Sequence, residues 1–220
     1  MKEFFGKFTF GFVMAQLAPG AIVVLSMTCP SGIDEKSTTV WGLCEQALRT
    51  WFESPSKIVG FLLLATGTGK LIHGLNWTIL ASLEEQGQPA RKSFWHNYPI
   101  FFQLLLSPLK MIAEFVWVLC ARGVEKLTME ENVPGVPPER MEAFNYLQGF
   151  YLNFGQFYSH TAYAVLISIT PLTLAWAALG WYWRDVMLLV VAYFGASVFF
   201  LLGRVTLGSL FKAERELCED

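Results

Sequence analysis

The residues with chemistry to offer are few, and three of them, Lys70, His73 and Asn76, stand where water is not expected. They interrupt Ile58–Leu80, IVGFLLLATGTGKLIHGLNWTIL. Its length and apolar content read as a membrane-spanning helix, since about 20 apolar residues cross a hydrocarbon core about 30 Å thick. An ionisable group at that depth costs on the order of 2.5–3.5 kcal/mol on an insertion scale, so Lys70 needs water, a partner charge or a ligand. At helical spacing Thr66, Lys70, His73 and Trp77 share one strip, and Gly60, Gly67 and Gly74 recur every seven residues on the next. Small residues let a second helix approach closely in lipid. The pattern predicts glycines for helix packing beside a polar strip that lines a pore. The plainer alternative is that Lys70 meets a buried acid or a backbone carbonyl of its own chain.

Other constellations are weaker. Ala65-Thr-Gly-Thr-Gly-Lys70 imitates a phosphate-binding loop, but Leu64 stands where the first glycine belongs and Leu71 where Ser or Thr would bind magnesium. Arg91, Lys92, Trp95, His96 and Tyr98 mix cations with aromatics. That set reads either as a site for a small anionic ligand such as a nucleotide or as an interfacial belt touching lipid headgroups. Of four cysteines, Cys29 and Cys44 fall in one connection and could form a disulfide, whereas Cys120 and Cys218 are expected to be free. Three histidines, far apart in sequence, and no CxxC pair supply no metal motif. Paired intramembrane carboxylates, HExxH and a Ser/His or Cys/His dyad on neighbouring spans are all missing. The expectation is therefore no catalytic residues, no cofactor and no enzyme.

The elements that must position these residues are helical. In the 220 residues 54% are hydrophobic, only 15% are charged and mean hydropathy is +0.41, which excludes an ordinary soluble domain. The net charge of −2 gives no general attraction to nucleic acid. Apolar runs at about 8–28, 58–80, 161–181 and 186–203 read as four spans, the first too long for a cleavable signal. Pro99–Cys120 is ambiguous: Pro108, Lys110 and Glu114 interrupt it, yet Phe101, Leu105, Ile112, Phe115 and Leu119 share a helical face.

Positive charge decides between four crossings and five. If Pro99–Cys120 does not span and the N-terminus is inside, the inside holds 11 Lys/Arg: Lys2, Lys7, Arg91, Lys92, Lys110, Arg122, Lys126, Arg140, Arg204, Lys212 and Arg215. The outside then holds four: Lys36, Arg49, Lys57 and Arg184. Letting it span leaves five inside against nine outside. The expected plan is thus an all-α polytopic protein, four spans, N-in and C-in. A first transmembrane pair (1–82, outside loop 29–57) precedes a helical cytosolic or juxtamembrane insertion (83–160), then a second pair with a cytosolic tail (161–220). Within the insertion Met141–Ser159 carries Asn145, Gln148, Asn153, Gln156 and, just beyond, His160 at three- or four-residue steps, and the Val133–Pro138 linker lets the two insertion helices fold back as a pair.

Four spans enclose only a crevice, so conduction implies several copies. The sequence reads best as a homo-oligomeric channel of a bacterial inner membrane, its second span lining the lumen and its cytosolic helices acting as the gate. By organisation alone this resembles a ligand-gated effector of bacterial antiviral defence, an analogy and no more. The competing reading is a non-catalytic accessory subunit that docks a soluble protein partner, with Lys70 against a partner's acid.

Overall fold

In a computed structural model the chain is described over residues 11, 13–29, 39–85, 99–122, 137–147, 152–179 and 183–218, and the regular secondary structure among these residues is all helical. A π-helical turn, Val13–Leu17, leads into α1 (Ala18–Thr28). Next come α2 (Val40–Phe52) and α3 (Pro55–Glu85), then α4 (Ile100–Arg122). A 3₁₀ turn, Pro138–Arg140, opens α5 (Met141–Leu147), and α6 (Asn153–Leu179) and α7 (Trp183–Cys218) complete the chain.

Local chemistry accounts for several boundaries. Pro19 stands just after the π-helical turn, and its missing N–H leaves the carbonyl of Ala15, four residues before it, open to another donor. Thr39 caps α2, its hydroxyl accepting from the Gly42 N–H at 3.2 Å. Among the described residues three helices are long and apolar enough to cross a membrane, within Pro55–Trp77, Asn153–Ala177 and Asp185–Glu214, and the Ala15–Thr28 helix is shorter. The helix that contains the third expected span starts at Asn153, because nothing breaks it before residue 161. The expected tail is likewise a continuation of α7, held by i,i+4 pairs such as Lys212–Glu216 at 3.2 Å.

Contacts fix the helix directions. Gln16 lies against Gly69 and Gly20 against Ala65, so α1 and α3 are antiparallel. Ala15 meets His160 and Ser26 meets Ser168, so α1 and α6 are parallel. Gly155 faces Leu207 and Ser159 faces Gly203, so α6 and α7 are antiparallel. The shared core holds Val23, Ile72, Ile79, Met111, Ala162, Tyr163 and Phe200. A smaller cluster, Cys29, Leu43, Ala47 and Ala175, seats α2 across the far end of α1 and α6.

The helix α4 is the part of the expected insertion that meets the bundle. It packs along α7 in the same direction, with Tyr193 donating to the Leu105 carbonyl and Glu114 reaching Arg204. Glu114, one of the residues that interrupt this apolar segment, is thus paired beside the α6–α7 contact. Phe101, Leu105 and Ile112 of the expected apolar face are exposed, and Met111 carries α4 into the core.

Candidate functional site

Polar residues collect at the end of the bundle where α1 begins. The π-helical turn supplies Ala15, whose carbonyl accepts from His160 Nδ1. A carbonyl only accepts, so Nδ1 carries the proton and Nε2 holds the ring's lone pair. His160 is fully buried, and Nε2 meets no hydrogen-bonding partner. The His73 ring stands at right angles to it, centroids 5.1 Å apart, with its own Nδ1 buried and unpartnered. On its other side His73 stacks with Trp77 at 6.4 Å, and Trp77 packs against Leu207 and Leu210 of α7. Gln16 Oε1, Asn76 Nδ2 and Thr161 Oγ1 are further buried atoms without partners.

The contact of Ser159 with Gly203 sets His160 and Arg204 at nearly the same height. There Arg204 grips Glu114 at 2.5 Å, Lys110 stands 3.8 Å from the same carboxylate, and the Phe200 ring lies 5.1 Å from the guanidinium. An aromatic face beside a desolvated guanidinium adds a favourable cation–π contribution. Two polar groups, one of imidazoles and one of ions, therefore share one layer.

The strip expected to line a pore divides. Lys70 is exposed on the outer surface of α3, Thr66 is half-buried, and His73 and Trp77 turn toward α6 and α7. Among the described residues no carboxylate forms an ion pair with Lys70. The glycines expected to pack also divide. A Cβ on Gly67 or Gly74 would meet nothing within 4 Å, and one on Gly60 would meet Trp51 at 3.9 Å. On the α1–α3 seam the close contacts fall to Gly20 and Gly69, where an added Cβ would lie 1.8 Å from the Ala65 oxygen and 2.0 Å from the Gln16 oxygen respectively.

Cys29 and Cys44 do come together, Sγ to Sγ at 3.4 Å, both as thiols. The hydrogen bond between the two sulfurs lowers Cys44 to about 7, whereas the same bond and burial raise Cys29. Arg91, Lys92, Trp95, His96 and Tyr98 lie outside the described residues. No cluster of three His, Cys, Asp or Glu side chains occurs among the described residues.

The residues that sequence reasoning missed are those joined across long separations. Glu114 and Arg204 are 90 residues apart, and Ala15 and His160 are 145 apart. The available signal was that Lys110, Glu114 and His160 each interrupt an apolar helix, which says that a partner is needed without saying which. No family model, no curated protein and no solved structure matches the chain.

Proposed function

We propose that the chain is a subunit of a homo-oligomeric membrane channel in which copies meet through the outer strip of α3. The observation that carries this is Lys70. It stands exposed on a face made otherwise of Leu63, Gly67, Leu71 and Gly74, and among the described residues no carboxylate pairs with it. Seven residues separate it from Trp77, about 10 Å of helix, farther than a lysine side chain reaches. Facing lipid it would be unstable by a few kcal/mol; facing a water-filled axis it would be solvated. Gly67 and Gly74 leave room for a second α3 to approach at close range.

The topology that goes with this reading has four crossings, α1, α3, α6 and α7, with both termini on the cytoplasmic face, as the Lys/Arg distribution favours. A ring of Lys70 side chains around the axis would favour anions. Thr66 borders the same lumen, while His73 and Trp77 back the wall from within each protomer. The gate would be the cytosolic region around α5, which Arg140 joins to the end of α7 by donating to the Leu217 carbonyl at 3.1 Å. A small anionic ligand, of nucleotide type, would act through the Arg91–Tyr98 segment.

The test pairs assembly with conduction. The protein in detergent is expected to run as a defined multimer, and in liposomes to pass anions over cations. Lys70→Leu should abolish that preference and change the conductance several-fold. Unchanged flux and selectivity would remove the pore-lining role. A monomer in detergent would favour the accessory-subunit reading, with Lys70 docking a partner's intramembrane acid.

A further inference from the structure

We infer that His73 and His160 form a binding site for a late first-row divalent metal ion, of which zinc is the type, between α3 and α6. The two rings are 87 positions apart in sequence and are brought together by the π-helical turn that leads into α1, whose Gln16 backbone lies against Gly69 while its Ala15 carbonyl holds His160. The Ala15 contact is the arrangement found behind metal-bound imidazoles. One nitrogen donates to a backbone carbonyl, which fixes the tautomer and leaves the other lone pair free to ligate. That free atom, His160 Nε2, is buried and unpartnered, and so is His73 Nδ1.

The spacing fits a shared ion. A zinc–nitrogen bond of about 2.0–2.1 Å places the metal about 3.2 Å from each ring centre. Two such arms with ring centres 5.1 Å apart enclose about 105° at the metal, close to a tetrahedral angle. A third ligand, an oxygen, would come from Gln16, the residue after Ala15 on the π-helical turn, whose Oε1 is buried without a partner. A water completes four ligands, and a bound water that loses its proton lowers the charge of the site from +2 to +1. His73 is only half-buried and lies one turn from exposed Lys70, which gives the ion a way in from the outer face of α3. Neutral imidazoles select zinc, copper, nickel or cobalt over magnesium or calcium. Motif spacing had no means of finding this pair, since it depends on how α1 seats α3 against α6.

The site stands apart from conduction, so its test does not depend on the channel. Full-length protein in detergent, stripped with chelator and titrated with Co²⁺, is expected to bind one ion per chain with the visible bands of tetrahedral cobalt, displaced by Zn²⁺. Zn²⁺ should raise the melting temperature of the wild type, because a ligand that binds only the folded state stabilises it. His73→Gln and His160→Gln, each checked for helical content and monodispersity, should weaken binding about tenfold or more and lose the Zn²⁺-dependent shift. Lys70→Leu should retain both. If the wild type gives neither the cobalt bands nor the shift, the site does not exist. Equal binding in the two glutamine variants, or binding that is lost in Cys29→Ser instead, would overturn it as well.

Discussion

The contacts α1 makes with α3 and α4 makes with α7 solve the same problem in opposite ways. Between α1 and α3 there is no side chain at the closest point: Gly20 and Gly69 each bring one backbone onto the other. Dispersion over a large dry area holds such a seam, and its tolerance is nil, because any added atom must occupy space already filled. Between α4 and α7 the closest groups are charged or polar, namely Glu114, Arg204, Lys110 and the Tyr193 hydroxyl. That seam is specified by pairing, and it fails when one partner is removed without the other. The first kind of seam fixes distance, and the second fixes register and partner.

Substitutions can break the two seams separately. The largest effect is expected at Gly20. In Gly20→Val the new Cβ falls 1.8 Å from the Ala65 oxygen, so the backbones must part. A loss of about 4 kcal/mol or more, or no recoverable folded protein, should appear in thermal unfolding in detergent. Gly67→Val, on the open strip of α3, should change protomer stability by less than about 0.5 kcal/mol. Equal sensitivity of the two glycines would show that the α1–α3 seam is not the close one.

A smaller effect is expected at the ionic seam. Glu114→Gln leaves Arg204 without its countercharge and should cost about 3 kcal/mol in the same assay. Replacing both, Glu114→Leu with Arg204→Met, should recover most of that loss, since an apolar pair of similar size replaces the ions. A double variant no better than the single one would mean that the carboxylate serves more than this pairing.

The mildest effect concerns the sulfur contact where α2 lies on α1. Cys44, lowered to about 7 by the Cys29 thiol, should be alkylated by iodoacetamide at a rate that rises through about pH 7. In Cys29→Ala that midpoint should move up toward the ordinary thiol value, as read by peptide mass spectrometry. The folded state holds Cys44 below its unfolded value. The resulting stability is present above the ordinary thiol range and is lost as pH falls through about 7. A midpoint unaffected by Cys29→Ala would separate the two thiols in solution.

How much of this was legible beforehand follows the same division. Helical class and the strong apolar runs are local properties, and composition and periodicity over Ile58–Leu80 or Val186–Leu202 suffice to read them. The Cys29–Cys44 approach was legible because a short connection limits where two residues can go. The role of each glycine was not. Gly67 and Gly69 differ by two positions, yet one faces open space and the other the Gln16 carbonyl, a distinction made entirely by α1. His73 likewise shares a helical strip with Lys70, but a strip about 60° wide spans both the outer surface and the contact with α6. Glu114 read as a residue of a surface helix because its cation stands 90 residues away. Tertiary pairing of isolated charges leaves no periodic trace.

The length of α7 has a mechanical meaning. Its 36 residues make a rod of about 54 Å, and Ser159 bears on it at Gly203. Beyond that point 15 residues, about 22 Å, extend to Cys218 as the free arm. A tilt of about 10° at the fulcrum would carry the tip sideways by about 4 Å over that arm. Arg140 grips the tip at the Leu217 carbonyl, so the 3₁₀ turn and α5 would travel with it. A displacement too small to disturb the packing around Phe200 is thereby magnified at the end of the molecule, as a pointer magnifies the motion of its pivot.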